Sequence, residues 1–269
     1  MTSCCEIQGK AMCDPDKKKL FVKIAIETHA NCNRRCKTCL RETCQETDAF
    51  LYQVRKTGEV RLSAGTIFDI LDQLALLKYG RTVQLSHYNE PLMDERIAAF
   101  TAYAKAVLGE YGAKIELVTN GDLLTEERAV ELDGLLDEIA ISLYMPEAKQ
   151  PAAREWFRSM FRRTKPRFTD GSHIVTHWSP FANRDEAIET AIKRPCTHYS
   201  DQLHIACDGT VLYCCQDYTG HWDLGNVYMD SLAEIWFSME RAELDDILSK
   251  PGGREKYEYC KICPVYTRS

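Results

Sequence analysis

The sequence predicts an α/β fold of parallel strands joined by helices, followed by a smaller C-terminal domain. Between Phe21 and Trp178, β-branched and apolar runs alternate with segments that carry apolar residues at helical spacing. After Pro180 this alternation gives way to cysteines, glycine-containing turns and short apolar runs. The length of 269 residues suits one large domain, or a medium domain and a small one.

Five strands and four helices are predicted in the first region. The strands are Phe21 to Glu27, Thr82 to His87, Lys114 to Thr119, Glu138 to Leu143 and His173 to Trp178. The helices follow the N-caps Ser63 and Thr125, and cover Ile97 to Leu108 and Glu147 to about Arg163. The polar stretch from Thr28 to about Leu62 has no clear period and is predicted to be loop. Alternating strands and helices favour a parallel sheet, open or closed into a partial barrel, with ligands at the carboxyl ends of the strands.

The second region is expected to form a small domain that depends on its cysteines. Short strands are predicted over Leu203 to Ile205 and Thr210 to Tyr213, and a helix over Ser231 to about Leu248. We therefore divide the chain into an extension at 1–20, a core at 21–184 and an auxiliary domain at 185–269.

Composition excludes several classes of partner. The net charge of −6 gives no electrostatic reason to bind nucleic acid, and 28% charged with 45% hydrophobic residues is ordinary for a globular protein. No apolar run reaches the roughly 18 residues of a membrane span, and the first 20 residues are polar. A cytoplasmic protein is therefore expected. Thirteen cysteines are then unusual, because thiols in a reducing compartment serve metal binding or catalysis rather than disulfides.

A cysteine cluster directly follows the first predicted strand. Cys32, Cys36 and Cys39 form a C-x3-C-x2-C run within a polar loop. Three thiolates so close along the chain can converge on one metal centre, and soft sulfur ligands favour zinc, copper(I) or an iron–sulfur cluster. A structural zinc site normally has four protein ligands, whereas a four-iron cluster held by three cysteines leaves one iron open. The alternative is a zinc knuckle completed by Cys44 or His29.

The three-cysteine run resembles that of the radical S-adenosylmethionine (SAM) superfamily. The resemblance implies a partial (β/α) TIM-like barrel as the core. It also implies a [4Fe–4S] cluster whose open iron binds SAM and supplies the electron that cleaves it to a 5′-deoxyadenosyl radical. Thr38 departs from the family pattern, which usually has an aromatic residue before the last cysteine.

Polar residues at the ends of later strands extend this resemblance. The segment SHYNEP, which ends at Pro91, stands where the superfamily has a Gly-Gly-Glu motif, so Glu90 is expected to bind the ammonium group of SAM. A second segment, VTNG, is similar to the Thr-Asn-Gly segment of the family. Thr119, Asn120 and Ser142 are accordingly expected to contact the ribose or carboxylate of SAM. The alternative for these three residues is that they only cap turns.

A second cysteine set lies near the C-terminus. Its members are Cys196, Cys214 and the C-x2-C pair Cys260 and Cys263. Four-cysteine ligation is open between zinc and an iron–sulfur cluster. The C-x12-G-x4-C portion resembles the start of a SPASM domain, and the short remainder resembles its shortened form, the twitch domain, which implies a second [4Fe–4S] cluster. Cys215 is the alternative to Cys214 as a ligand.

The cysteine spacings and the short core most resemble superfamily members that oxidise a ring alcohol to a ketone. The resemblance implies a small polar substrate such as a sugar, aminocyclitol or nucleoside, and an auxiliary cluster that accepts an electron. Arg184, at the domain junction, is a candidate contact to substrate or cofactor; the alternative is a surface ion pair. His87 and His177 are further candidates for moving a proton.

Three other functions remain open from the sequence. A radical epimerase would use a spare thiol as hydrogen donor, for which Cys215 and Cys207 are candidates. A peptide-modifying enzyme would usually carry a longer N-terminal domain, and a zinc-binding interaction module would not need Glu90. The expected partners are a small molecule and a reducing protein such as flavodoxin or ferredoxin. The remaining cysteines have no predicted role: Cys4, Cys5, Cys13 and Cys44.

Overall fold

The structure of the protein is a computed structural model. It describes residues 19–37, 39–171, 193–196, 201–261 and 263, together with the backbone of 4–7 and 10–13. The predicted strand at His173 to Trp178 and the predicted domain boundary at 184/185 lie outside the described residues.

The described strands form one small and one large sheet. Their bounds are β1 Cys4–Ile7, β2 Lys10–Cys13, β3 Lys23–Ile26, β4 Thr82–Gln84, β5 Lys114–Thr119, β6 Glu138–Leu143, β7 Lys165–Asp170, β8 Gln202–Ile205 and β9 Val211–Leu212. β1 and β2 form an antiparallel pair. Within the described residues, seven strands form the large sheet in the order β7-β6-β5-β4-β3-β8-β9, and only β9 is antiparallel to its neighbour.

Helices connect the strands from β3 to β7, and further helices follow β9 along the chain. Their bounds are α1 Leu40–Thr43, α2 Phe50–Thr57, α3 Ala64–Leu76, α4 Ile97–Leu108, α5 Glu126–Leu132, α6 Gln150–Ser159, α7 Leu232–Trp236, α8 Met239–Leu248 and α9 Glu258–Lys261. Two predicted N-caps are confirmed: Ser63 accepts a hydrogen bond from the backbone N–H of Thr66, and Thr125 accepts one from Arg128. In the described part of the chain no helix is long and apolar enough to cross a membrane.

The two faces of the large sheet differ in polarity because strand side chains alternate. Leu203, Ile24, Val83 and Ile115 lie side by side in register and belong to the hydrophobic core. The next register row contains His204, Ala25, Gln84 and Glu116 and faces the other way. This polar face is the one toward which the candidate site opens.

Several sequence-based predictions needed correction. The stretch from Thr28 to Leu62 contains α1 and α2 rather than loop alone, because Arg55 is fully buried and interrupts the apolar period of α2. The helix predicted over Ser231 to Leu248 is two helices, since the hydroxyl of Ser238 caps a new helix by accepting from the N–H of Arg241 at 3.2 Å. The sequence does not predict β7, because this strand contains a proline and three charged residues.

The auxiliary region is continuous with the core. β8 pairs in parallel with β3, from Lys23 opposite Gln202 to Ile26 opposite Ile205. The strand predicted over Leu203 to Ile205 is confirmed as β8. Its pairing with β3 connects the second cysteine region to the strand that leads into the first.

Candidate active site

The three-cysteine loop begins where β3 ends and returns at α1. Cys39 caps α1, and its N–H donates to the carbonyl of Cys36 at 2.9 Å. The guanidinium of Arg41 donates to the carbonyl of Ala30 at 2.6 Å and so ties the far end of the loop to its start. The N–H of Cys32 donates to the side chain of Asn31 at 2.9 Å. These bonds fold the loop back on itself, which brings its thiols together.

The thiols of this loop lie close enough to influence one another. Burial raises the pKa of Cys39 to about 11, and the charges of Cys32 and Cys36 act in the same direction. Burial also raises the pKa of Cys32. Over the described residues, no group of three or more histidine, cysteine or carboxylate side chains is preset to hold a single metal ion. Because the thiolate is the ligand, metal binding at this loop must release protons.

Glu90 lies in the loop that follows β4 and is held by three hydrogen bonds. Its carboxylate accepts from the hydroxyl of Thr119 at 2.6 Å, and from the N–H groups of Asn120 at 2.8 Å and Leu92 at 3.1 Å. The side chain is 2% exposed. Burial raises the pKa of Glu90, although the three hydrogen bonds oppose this shift. The result is a carboxylate with a fixed orientation.

A cavity of about 200 Å³ joins the cysteine loop to the carboxyl ends of β4, β5 and β6. Its lining contains every residue predicted for the cofactor site: Cys32, Cys36, Cys39, Glu90, Thr119, Asn120 and Ser142. Asn120 also donates from its side-chain amide to Asn33 at 2.8 Å, and so links the end of β5 to the loop. The juxtaposition expected from the ends of parallel strands is therefore present, while the individual roles stay predictions.

The cavity lining also contains His87, which the sequence predicts as a candidate for moving a proton, and Tyr88 and Tyr144, which the sequence does not assign to the site. The ring of His87 stacks on that of His204 with centroids 4.9 Å apart. In the part of the chain that the structure describes, Nε2 of His87 is buried without a hydrogen-bond partner. Burial, and then the neighbouring charge of His204, hold the pKa of His87 well below its ordinary value. The position of SHYNEP after β4 was the available indication for His87 and Tyr88.

The four distant cysteines also meet. Burial raises the pKa of Cys214, and nearby charges that act on it include those of Cys260 and Cys263. Burial raises the pKa of Cys260 to about 12, with Cys263 and Cys196 adding to the shift. The N–H of Cys196 donates to the carbonyl of Leu248 at the end of α8, at 2.6 Å. Three separate segments thus bring four thiols to one partly buried place.

The adjacent cysteines 214 and 215 have different surroundings. The charges of Cys260 and Cys263 act on the pKa of Cys214, together with that of its neighbour Cys215, whereas the largest charge effect on the pKa of Tyr88 comes from Cys215. The hydroxyl of Tyr88 donates to the carbonyl of Cys215, and the amide of Gln216 lies 3.7 Å from its sulfur. This geometry supports Cys214 as the ligand and directs Cys215 toward the cavity residue Tyr88.

A buried ion pair links the two cysteine regions. Arg55 and Glu27 are both 0% exposed, and their charged groups approach to 2.6 Å. Arg55 also donates to the carbonyl of Tyr218, four residues after Cys214, and lies over the rings of Tyr88 and Tyr218. Glu27 accepts from the N–H of Cys207 at 3.3 Å. The pair therefore joins α2, the end of β3 and the chain around the second cysteine set.

Some predicted residues are not brought into these sites or cannot be located. Arg184 and His177, like Thr38, lie outside the described residues. Cys44 is 7% exposed and packs in the core, and Cys207 is fully buried. For Cys4, Cys5 and Cys13 the structure describes only backbone, in the β1–β2 pair.

Comparison with known proteins agrees with this arrangement. Residues 196–264 match SPASM, described as an iron–sulfur cluster-binding domain. The chain is 24% identical over 256 residues to the S-adenosyl-L-methionine-dependent 2-deoxy-scyllo-inosamine dehydrogenase of Niallia circulans, covering 91% of this chain and 93% of the relative. The resemblance to radical SAM enzymes with a SPASM-type domain, and among them to 2-deoxy-scyllo-inosamine dehydrogenase, is thereby confirmed.

Solved structures show the same fold. BtrN in complex with AdoMet and 2-DOIA superposes with a TM-score of 0.71 at 19% identity, covering 92% of this chain and 94% of that one. Streptococcus suis SuiB bound to the precursor peptide SuiA gives 0.58 at 12% identity, covering 91% and 76%. The partial TIM-like barrel predicted for the core is confirmed as the fold class.

Proposed function

We propose that this chain is a radical SAM dehydrogenase that oxidises an alcohol of a small polar ring, an aminocyclitol or a related compound, to a ketone. The observation that carries the proposal is the single cavity that contains the three-cysteine loop and the Glu90 cluster, with Tyr88 connecting it to the four-cysteine region. The similarity to the Niallia circulans dehydrogenase supports the choice of reaction and of substrate class.

The donor atoms suit two [4Fe–4S] clusters and one SAM. Cys32, Cys36 and Cys39 would hold the first cluster, and the four-cysteine set would hold the second: Cys196, Cys214, Cys260 and Cys263. When bound, the first cluster and SAM would supply the 5′-deoxyadenosyl radical, and the second cluster would supply a one-electron acceptor.

The chain's own residues would orient SAM at the strand ends. Glu90 presents a carboxylate to an ammonium group, and its three hydrogen bonds keep it from rotating. Ser142 lies across the cavity and shares a hydrogen bond of 3.1 Å with Thr169, which fixes its hydroxyl near the same space. Together with Thr119 and Asn120 these residues would hold the ribose and carboxylate of SAM.

His87 is the best-placed group to receive the substrate's hydroxyl proton. Its pKa lies well below the ordinary value, chiefly because of burial, so the ring is neutral and able to accept. Its buried Nε2 lacks a partner among the described residues. Arg184 is kept as a further candidate contact to substrate.

The proposal also covers the domains of the chain, its reducing partner and its location. Residues 21–184 would form the catalytic core and residues 185–269 the auxiliary-cluster domain. A reducing protein such as flavodoxin or ferredoxin would deliver the first electron, in the cytoplasm. A cavity of about 200 Å³ suits a small-molecule substrate, and no nucleic acid or membrane is proposed as a partner.

The proposal is tested by anaerobic turnover of the reconstituted chain with SAM, a chemical reductant and 2-deoxy-scyllo-inosamine in deuterated water. Formation of 5′-deoxyadenosine with a ketone product is expected. A product at the starting oxidation state that carries solvent deuterium would instead identify an epimerase, with Cys215 as the donor to replace by serine. Absence of 5′-deoxyadenosine from an iron-loaded chain would contradict both the dehydrogenase and the epimerase interpretation.

The role of His87 is tested in the same reaction. His87→Gln should lower ketone formation about 10²- to 10⁴-fold while 5′-deoxyadenosine still forms, because only the proton acceptor is removed. Equal loss of both products would show that His87 instead supports SAM binding.

A further inference from the structure

Two buried arginines flank the four-cysteine set. Arg241 is 0% exposed and Arg254 is 1% exposed. Full burial of a guanidinium is uncommon, because removing its charge from water is costly unless nearby groups compensate. Four cysteine thiolates would be such a compensating group.

Arg254 approaches the site from the turn before α9. Its guanidinium donates to the carbonyl of Cys263 at 3.4 Å. Burial and neighbouring thiols raise the pKa of Cys260, and the charge of Arg254 opposes that rise. Arg254 therefore stabilises negative charge on the C-x2-C pair.

Arg241 approaches from α8 on the other side. Its guanidinium stacks at 4.1 Å over the ring of Trp236 and donates to the carbonyl of Gln202 at 2.9 Å. It also lies 5.4 Å over the ring of Tyr213, the residue before Cys214. The charged groups that act on Arg241 are, in order, Asp245, Tyr213, Cys214 and Asp201, so Cys214 is one of its neighbours.

One buried carboxylate opposes the two arginines. Asp217 is 0% exposed and accepts hydrogen bonds from the N–H of His221 at 2.7 Å and of Tyr213 at 3.4 Å. Its charge acts on both Cys214 and Cys260. The site thus has fixed charges of both signs within its buried surroundings.

We propose that Arg241 and Arg254 raise the reduction potential of the auxiliary cluster, and that Asp217 lowers it. This inference rests on the proposed function, in which the substrate radical loses one electron and its hydroxyl proton to become a ketone. Accepting that electron adds one negative charge to the four-cysteine site. Buried positive charges stabilise the added charge, and a buried negative charge destabilises it, because screening is weak away from water.

The test is a potentiometric titration followed by electron paramagnetic resonance at about pH 8. The full-length chain carries Cys32→Ala, Cys36→Ala and Cys39→Ala, so that only the auxiliary cluster contributes a signal. At the midpoint of this reference chain, Arg254→Gln should lower the ratio of reduced to oxidised cluster about tenfold, which corresponds to about 59 mV for one electron. Arg241→Gln should also lower the midpoint potential, whereas Asp217→Asn should raise it. Arg254→Lys should cause the smallest shift, because it keeps the positive charge.

The arginine and aspartate variants should shift the midpoint potential in opposite directions, which distinguishes an effect of charge from structural damage. A variant with a damaged site would contain less iron. Its midpoint potential would not shift in the direction set by the sign of the charge removed. Midpoints unchanged in all iron-loaded variants would overturn the inference and leave the proposed function intact. If Arg254→Gln fails to take up iron, Asp217→Asn decides: an upward shift supports the inference and none overturns it. Zinc in place of iron in the reference chain would contradict the proposed function itself.

Discussion

The two cysteine regions of this chain are built in contrasting ways. The first gathers three cysteines from eight consecutive residues, on a loop beside an open cavity of about 200 Å³. The second gathers four cysteines from three segments that span residues 196 to 263, and surrounds them with buried charges. An open site with three ligands suits binding and cleavage of a cofactor, whereas an enclosed site with four ligands suits electron storage.

The two cysteine regions depend on the rest of the fold to different degrees. The first site needs only a strand end and the loop after it. The second needs β8 paired with β3, the end of α8 against Cys196, and α9 in place. Damage to the fold should therefore affect the second site more than the first.

The largest expected effect separates the two sites chemically. Cys260→Ala combined with Cys263→Ala should reduce iron from about eight to about four per chain and abolish ketone formation, because the second cluster loses two ligands. Cleavage of SAM should continue. Cys215→Ala is the matched control, since Cys215 is adjacent to Cys214 and its carbonyl accepts from the hydroxyl of Tyr88, and it should retain all the iron. Iron and product analysis check both; equal iron loss in the control would assign Cys215 as a ligand.

The connection between the regions is the next target. Arg55→Ala leaves the carboxylate of Glu27 buried and unpaired, so the free energy of unfolding should fall by about 3–5 kcal/mol. Arg35→Ala is the control: its side chain is 85% exposed and pairs with Glu42 at 3.3 Å, so about 0–1 kcal/mol is expected. Denaturant titration measures both. Similar values for the two variants would contradict the view that Arg55 joins the regions.

The smallest expected effect concerns the open site alone. Glu90→Gln removes a buried charge that would pair with an ammonium group, so SAM affinity should fall about 10- to 100-fold, equivalent to about 1.5–3 kcal/mol. Glu95→Gln, whose side chain is 71% exposed, should leave the affinity unchanged. Calorimetric titration with SAM compares the two variants with the native chain.

The same titration has a pH dependence of defined sign. Burial raises the pKa of Glu90, so protonation competes with binding at a higher pH than for an exposed glutamate. Affinity for SAM should fall as pH is lowered from about 8 toward about 5 in the native chain. The fall should be absent in Glu90→Gln; an equal fall in both would place the titrating group elsewhere.

Sequence reasoning located the first site more completely than the second. Cys32, Cys36 and Cys39 are close in the chain. Glu90, Thr119 and Ser142 follow or end strands with a clear sequence pattern, so the parallel pairing of these strands brings the three residues together. The four distant cysteines were named from spacing, but nothing in the spacing indicates the pairing of β8 with β3. Long-range pairing depends on contacts far apart in sequence, which local patterns do not record.

The residues that sequence reasoning missed are mostly buried polar ones. Arg55 is fully buried and interrupts the apolar period of α2, so the sequence pattern does not predict this helix. Arg241 and Arg254 occupy positions that composition alone assigns to solvent. The stacking of His87 on His204 joins β8 to the loop after β4, and neither residue has a local pattern that predicts a partner.

The most direct test of two distinct clusters is the iron, sulfide and zinc content after anaerobic reconstitution, compared between the native chain and the Cys32→Ala, Cys36→Ala, Cys39→Ala variant. About eight irons falling to about four, with loss of SAM cleavage, is the predicted result. Zinc retained in the variant would contradict it, because the four-cysteine set would then be a structural site unable to accept an electron.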